Sequence, residues 1–168
     1  GLKRDIYEGG HHVPFIIKWP GVTKAGSTCD KLVSQIDFMG TFASSLGYEL
    51  PDDAAEDSHD ILPLLHGRKK TPRTVHVHNT RADAWAIRVG EWNLIAGKSG
   101  YHSGRRKPWE EKRNYPADDD DTVELYHYAK DISQRNNLAK KFPKKVAELQ
   151  KELQVARERG FSAPRLLK

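Results

Sequence analysis

The chain has a single cysteine, Cys29, in 168 residues, which excludes an internal disulfide and a zinc site built on cysteines. No apolar run approaches the roughly 20 residues that a membrane-spanning helix needs, so no membrane partner is expected. A basic stretch followed by an apolar core is absent from the start, and no secretory signal is visible; a chain beginning inside a fold would show none either, so this says nothing of localisation. Zinc-finger spacing, Gly-rich phosphate loops, RNA-binding aromatic motifs and internal repeats are also missing. Nucleic acid is therefore not expected as a partner.

What is present is modest in apolar content and rich in charge: 37% apolar residues, 30% charged, and a net charge of +5. A positive balance favours acidic partners, whether a sulfated or carboxylated polysaccharide or a nucleic acid, and charge alone does not choose between them. Part of the excess lies in runs such as Arg68-Lys69-Lys70 and Lys140-Lys141, which read as solvated surface. The length suits one ordinary core, or the tail of one domain with a small subdomain.

Residues 13–19 form an almost unbroken apolar run closed by Pro20-Gly21, the pattern of a strand buried on both faces. Residues 31–36 read as a short strand or an approach segment, with Cys29 half-buried beside it. A helix is predicted from Asp37, placed as N-cap, with Phe38, Phe42 and Leu46 on one face and Gly47 as its stop. Residues 57–67 read as a short helical turn packed by its leucines, with His59 and His66 at the surface or in capping roles. The composition shifts at residues 68–73, where the boundary between residues 1–70 and 71–168 is placed.

Beyond it, residues 74–79 alternate with a period of two, setting Val75 and Val77 on one face and His76 and His78 on the other. Residues 84–88 and 91–95 flank a tight Val89-Gly90 turn, a hairpin pattern, and residues 123–128 supply a fourth strand. The expected result is a small antiparallel sheet. A closing helix over residues 143–159 starts at Pro143, carries the stripe Val146, Leu149, Leu153 and Ala156, and stops at Gly160.

Chemistry-bearing residues are few. Lys3 offers a compact ammonium with three donors, suited to a tetrahedral oxyanion. His76 and His78 can donate to an anion or a sugar hydroxyl near neutral pH. Residues 98–122 show little periodicity and hold Arg105, Arg106 and Trp109. Two readings of this segment stay open: a substrate-lining loop in which Trp109 stacks on a sugar ring and Arg105 or Arg106 pairs with anionic groups, or a surface loop. The run of aspartates at 118–121 lacks the spacing of a calcium loop and reads as a solvated acidic turn.

The opening Lys3-Arg4-Asp5-Ile6-Tyr7-Glu8-Gly9-Gly10, followed by Val13-Pro14 and Trp19-Pro20-Gly21, resembles the segment by which sulfatases of the arylsulfatase family enter the last part of their catalytic domain. His12 stands where that family often carries Arg. Asp37 to Thr41, with Gly40 where Pro is usual, and Asp57 to Gly67 continue the resemblance, as do Trp85-Ala86-Ile87-Arg88, Gly90-Glu91-Trp92-Asn93-Leu94-Ile95 and Glu124-Leu125-Tyr126. The resemblance implies an α/β fold: the end of a sulfatase-type, alkaline-phosphatase-like catalytic domain, then a small antiparallel sheet subdomain with a C-terminal helix. It implies a full enzyme that hydrolyses sulfate esters, with Lys3 contacting the sulfate and a sulfated carbohydrate as one substrate class. It also implies a formylglycine nucleophile and calcium, both supplied by a preceding part, since the Cys-x-Pro/Ala-x-Arg signature and the calcium ligands are not in this chain. Alone, the chain is then expected to be inert, to self-associate or to need that missing part, and to come from a periplasmic or secreted enzyme. Two alternatives remain: a phosphoester hydrolase of the same superfamily, and a non-catalytic basic module that binds sulfated glycans.

Overall fold

The structure, a computed structural model, describes residues 1–81, 84–97, 108–113 and 123–162. It forms two compact units. One comprises Gly1–Val13 and Val75–Glu158, the other Pro14–Thr74 with the chain end from Arg159.

The first unit is built on a four-stranded antiparallel sheet in the order β1-β2-β3-β4, from β1 (Val75–Arg81), β2 (Ala84–Val89), β3 (Trp92–Ala96) and β4 (Val123–His127). Its strands follow the alternation expected of them. Val89 pairs with Trp92 across a two-residue turn, and Gly90 takes φ +57 there, a conformation that other residues adopt only at a cost. Ile87, Leu94 and Leu125 lie in register across the sheet and share one face. The closing helix lays Leu149 and Leu153 on that face to complete a buried cluster. At about 1.5–3 kcal/mol for each aliphatic side chain fully buried, this stripe is what fixes the helix there. Helix labels follow chain order: α1 (Glu8–His11), α2 (Asp37–Ser45), α3 (Leu62–Leu65), α4 (Pro108–Lys112) and α5 (Pro143–Arg159).

The opposite face of the sheet is covered by the chain's first residues. Ile6 and Tyr7 pack with Ala84, Ala86, Ile95, Tyr126 and Tyr128. Tyr7 and Tyr126 both donate their hydroxyls to the buried Glu124 carboxylate, Tyr7 at 2.8 Å. The sheet is thus sandwiched between a helix from one end of the chain and an extended segment from the other.

The second unit departs from expectation at several points. Residues 13–19 form no strand, and Ile16 is 93% exposed. A strand buried on both faces needs neighbours on either edge, and among the described residues none pairs with it. Residues 31–36 likewise form no strand, and Cys29 is exposed rather than half-buried. Asp37 is the first residue of α2, not its cap; Ile36 flanks the helix. Of the apolar residues expected on one face of α2, Phe42 and Leu46 are exposed.

Polar residues at helical spacing, buried at Asp37 and Thr41 and exposed at Ser44, form a stripe that holds α2 to residues 58–61. Gly40 donates its amide to Ser58 Oγ at 2.8 Å, Thr41 Oγ1 accepts the Ile61 amide at 3.0 Å, and Ser44 donates to Asp60 at 2.8 Å. Gly40 is apt there twice over: a proline would lack the amide, and a Cβ would stand 2.9 Å from Ser58 Oγ. Asp37 anchors the stripe. Fully buried, it accepts from Arg73 in bidentate fashion and from the amides of Ser34 and His59 at 2.8 and 2.9 Å. Arg73 also donates to the Asp57 carbonyl at 2.6 Å.

Candidate functional site

Lys3 stands at the tip of a tight turn. The Asp5 amide donates to the Leu2 carbonyl at 2.9 Å, and the Asp5 carboxylate accepts the Leu2 amide at 2.6 Å. Between them Arg4 takes φ +78, the left-handed conformation that the third residue of such a turn requires. Lys3 and Arg4 are exposed while Asp5, Ile6 and Tyr7 are buried, so a rigid base presents a free ammonium. A side chain whose backbone is fixed loses less entropy on gripping an anion.

The glycine pair that follows serves close approach rather than positive φ. Gly9 and Gly10 lie in the helical turn α1. A Cβ on Gly9 would fall 2.4 Å from the Gly1 carbonyl oxygen, and one on Gly10 would fall 2.0 Å from that of Asp5. The motif therefore folds the start of the chain back upon itself.

His78 lies on the same face of β1 as His76, as the alternation required, and that face meets the Lys3 segment. Its Nε2 lies 3.1 Å from the Ile6 carbonyl oxygen. His11 Nδ1 lies 2.8 Å from the Tyr7 carbonyl oxygen. Since a carbonyl only accepts, these nitrogens carry the protons, which sets both tautomers. The His11 and His78 rings approach with centroids 4.0 Å apart, and His76 stacks on His78 at 5.4 Å. Burial pushes the pKa of each of His11 and His78 down to about 4. For His11 the backbone bond opposes the shift in part, while His76, His12 and Arg88 add to it. At neutral pH the pair is uncharged. Beside it Glu8 accepts from His12 at 2.6 Å, and Arg88 lies over the Tyr128 ring at 4.7 Å. The Tyr128 hydroxyl is pushed well above its ordinary pKa, first by burial and then by Glu8.

Of the other residues singled out in the sequence, Trp109 lies on α4 with 40% of its surface exposed. Arg105 and Arg106 lie outside the described residues. No signal in the sequence marked His11 or Thr80, which the fold brings to the Lys3 segment.

A calcium site is not offered by these residues. Asp5 holds the Leu2 amide, Asp37 is spent on Arg73, and Glu8 on His12. Among the described residues no three His, Cys, Asp or Glu side chains converge as a metal would require. Cys29 lies in Cys29-Asp30-Lys31-Leu32-Val33, not in a formylglycine signature.

The fold is that of the C-terminal part of a sulfatase. Superposed on a solved protein of Bacteroides thetaiotaomicron concerned with the metabolism of multiple glycosaminoglycans, it gives a TM-score of 0.74 at 30% identity, covering 93% of this chain and 31% of the other. A second solved protein, captured with its substrate D-glucosamine-2-N,6-O-disulfate, shares the fold at TM-score 0.60 and 24% identity, over 85% of this chain and 27% of its own. Residues 2–95 match the family described as N-sulphoglucosamine sulphohydrolase, C-terminal, and the chain belongs to that family. It is 33% identical over 159 residues to an N-acetylgalactosamine-6-O-sulfatase of Bacteroides thetaiotaomicron, covering 95% of this chain and 30% of that enzyme. The chain thus spans under a third of the length of the relatives compared here.

Proposed function

We propose that this chain is the C-terminal part of an enzyme that hydrolyses the sulfate esters of a sulfated carbohydrate, and that Lys3 is its contact to the sulfate. The observation that carries this reading is the exposed Lys3 on a turn whose backbone is held at both ends, within residues 2–95, which match the family. As the S–O bond to the sugar breaks, negative charge grows on the departing oxygen and stays on the sulfate oxygens. An ammonium already in place stabilises that charge without reorganising. His76, with Trp109, Arg105 and Arg106, would bear on the sugar and its further anionic groups.

The chain by itself is inert in this reading, because nucleophile and calcium belong to the part that precedes Lys3 in sulfatases. That part would also cover the apolar face of the second unit, where Ile16, Met39, Phe42, Leu46 and Tyr48 are exposed.

The test is a chimera in which these residues replace the matching third of the N-acetylgalactosamine-6-O-sulfatase. Turnover of 4-nitrophenyl sulfate is expected from the chimera and not from the chain alone. Lys3→Ala in the chimera is expected to lower kcat/KM about 100-fold or more, the usual size for one donor to a developing oxyanion. An unchanged kcat/KM would remove Lys3 from the site. Faster turnover of a phosphate monoester than of the sulfate would move the assignment to phosphoester hydrolysis.

A further inference from the structure

We propose that His78, Thr80 and His11 are positioning residues for Lys3, acting as a clamp on the carbonyl groups of the segment that follows it. The proposal rests on the reading of Lys3 given above and adds what holds that lysine in place.

The clamp uses two side chains of β1. His78 and Thr80 are two residues apart, with Thr80 at the register shift between Asn79 and Arg81, and both reach the same facing segment. Each holds a carbonyl of the facing segment: His78 Nε2–H donates to Ile6 O at 3.1 Å, and the Thr80 hydroxyl donates to Arg4 O. Those carbonyls are also two residues apart. Side chains of β1 thus do for this segment what backbone amides do for a paired strand. His11 adds a third hold, on Tyr7 O at 2.8 Å, and its ring lies against His78. Three bonds therefore fall on carbonyls between one and four residues after Lys3.

Arg4 shows why the turn needs holding. A non-glycine residue at φ +78 is strained, and free of its anchors the peptide would relax and carry Lys3 with it. Thr80 bonds the carbonyl of that very residue. The clamp works in the neutral state of both rings, whose protons already point at Ile6 O and Tyr7 O. A proton added to His11 would meet repulsion from His76, His12 and Arg88, and one added to His78 would meet repulsion from His11, opposed there by Glu8, while Tyr128 stays uncharged.

The experiment uses the 168-residue chain and reads hydrogen exchange at the Asp5 amide, bonded within the segment to Leu2 O, and at the Glu8 amide, bonded to Gln134 Oε1. His78→Phe with Thr80→Val keeps ring, shape and volume but removes both donors. Exchange at these two amides is expected to rise roughly tenfold or more, the weight of two lost hydrogen bonds. The amides of Ile87 and Leu94 should keep their rates. His78→Gln with Thr80→Ser, which restores both donors, should bring the slow exchange back. Unchanged rates at Asp5 and Glu8 overturn the clamp. So does an equal rise across the whole sheet that the conservative pair fails to rescue, because that is mere core damage.

In the chimera, the Phe/Val pair should lower kcat in the Lys3 enzyme and cost nothing further in the Lys3→Ala enzyme. Full additivity of the two losses would show that the clamp does not act through Lys3. If Lys3→Ala alone costs nothing, the sulfate-contact reading falls, and the exchange result still decides the clamp.

Discussion

Replacing Arg73 by methionine probes the second unit at its most exposed energetic point. Arg73 and Asp37 are both fully buried, and each satisfies the other. Removing the guanidinium leaves the Asp37 carboxylate with only the Ser34 and His59 amides as the partners described above. Breaking one side of a buried pair typically costs about 3–5 kcal/mol. Protonation sets a ceiling on the charge component, since giving a carboxylate a proton at pH 7 costs about 4 kcal/mol. The lost donor to Asp57 O, at 2.6 Å, adds about 1 kcal/mol. A loss of about 4 kcal/mol is a large share of a total stability of about 5–15 kcal/mol. The assay is amide exchange at Ser34, His59 and Ile61, which report on the local fold directly. A rise of about 100-fold or more is expected in Arg73→Met, with partial recovery in Arg73→Met/Asp37→Asn, where no buried charge is stranded. A loss below about 1 kcal/mol in Arg73→Met would refute the reasoning, because that is the worth of an exposed pair.

Two further outcomes can be checked on the same chain. His11 and His78 have folded-state pKa values of about 4 against an ordinary value of 6.5, so the unfolded chain binds more protons between those values. Their contribution to stability is whole above pH 6.5 and is lost as pH falls toward 4, by about 3 kcal/mol for His78. Urea titrations at pH 7 and pH 4.5 should therefore diverge more in the parent than in His78→Phe, and equal divergence would contradict the burial of that ring. Gly10→Ala places a methyl 2.0 Å from the Asp5 carbonyl oxygen. A loss of roughly 1–3 kcal/mol in thermal unfolding is expected from such overpacking, and a neutral effect would mean that the turn is not folded back as described.

The sheet and its closing helix were legible because their patterns are answered within the chain. Period-two strands meet period-two neighbours, and the Leu149 and Leu153 stripe finds Ile87, Leu94 and Leu125. Residues 13–19 have an equally clear apolar pattern but no paired strand among the described residues, so the pattern alone misleads. The α2 stripe differed in another way: Asp37, Gly40, Thr41 and Ser44 repeat at helical spacing too, and hydrogen bonds turn that polar stripe toward residues 58–61, burying Asp37 and Thr41. At the candidate site, the motif marked Lys3 and the alternation marked His76 and His78. The bond from His78 to Ile6 spans 72 residues, a separation that no local periodicity encodes. Gly9-Gly10 reads in the sequence as a tight turn with positive φ, but neither takes positive φ, and what they need is room beside the Gly1 and Asp5 carbonyls.

The anchors of the opening segment come from far down the chain. Ile6 and Arg4 are held by residues 72 and 76 positions later, Tyr7 by one 117 later, and Glu8 by one 126 later. During synthesis Lys3 is made before its supports, which emerge only when β4 and the residues after it have been translated. A nascent or prematurely terminated product would carry the lysine on a slack tether, and the grip would come only once this sheet is nearly complete.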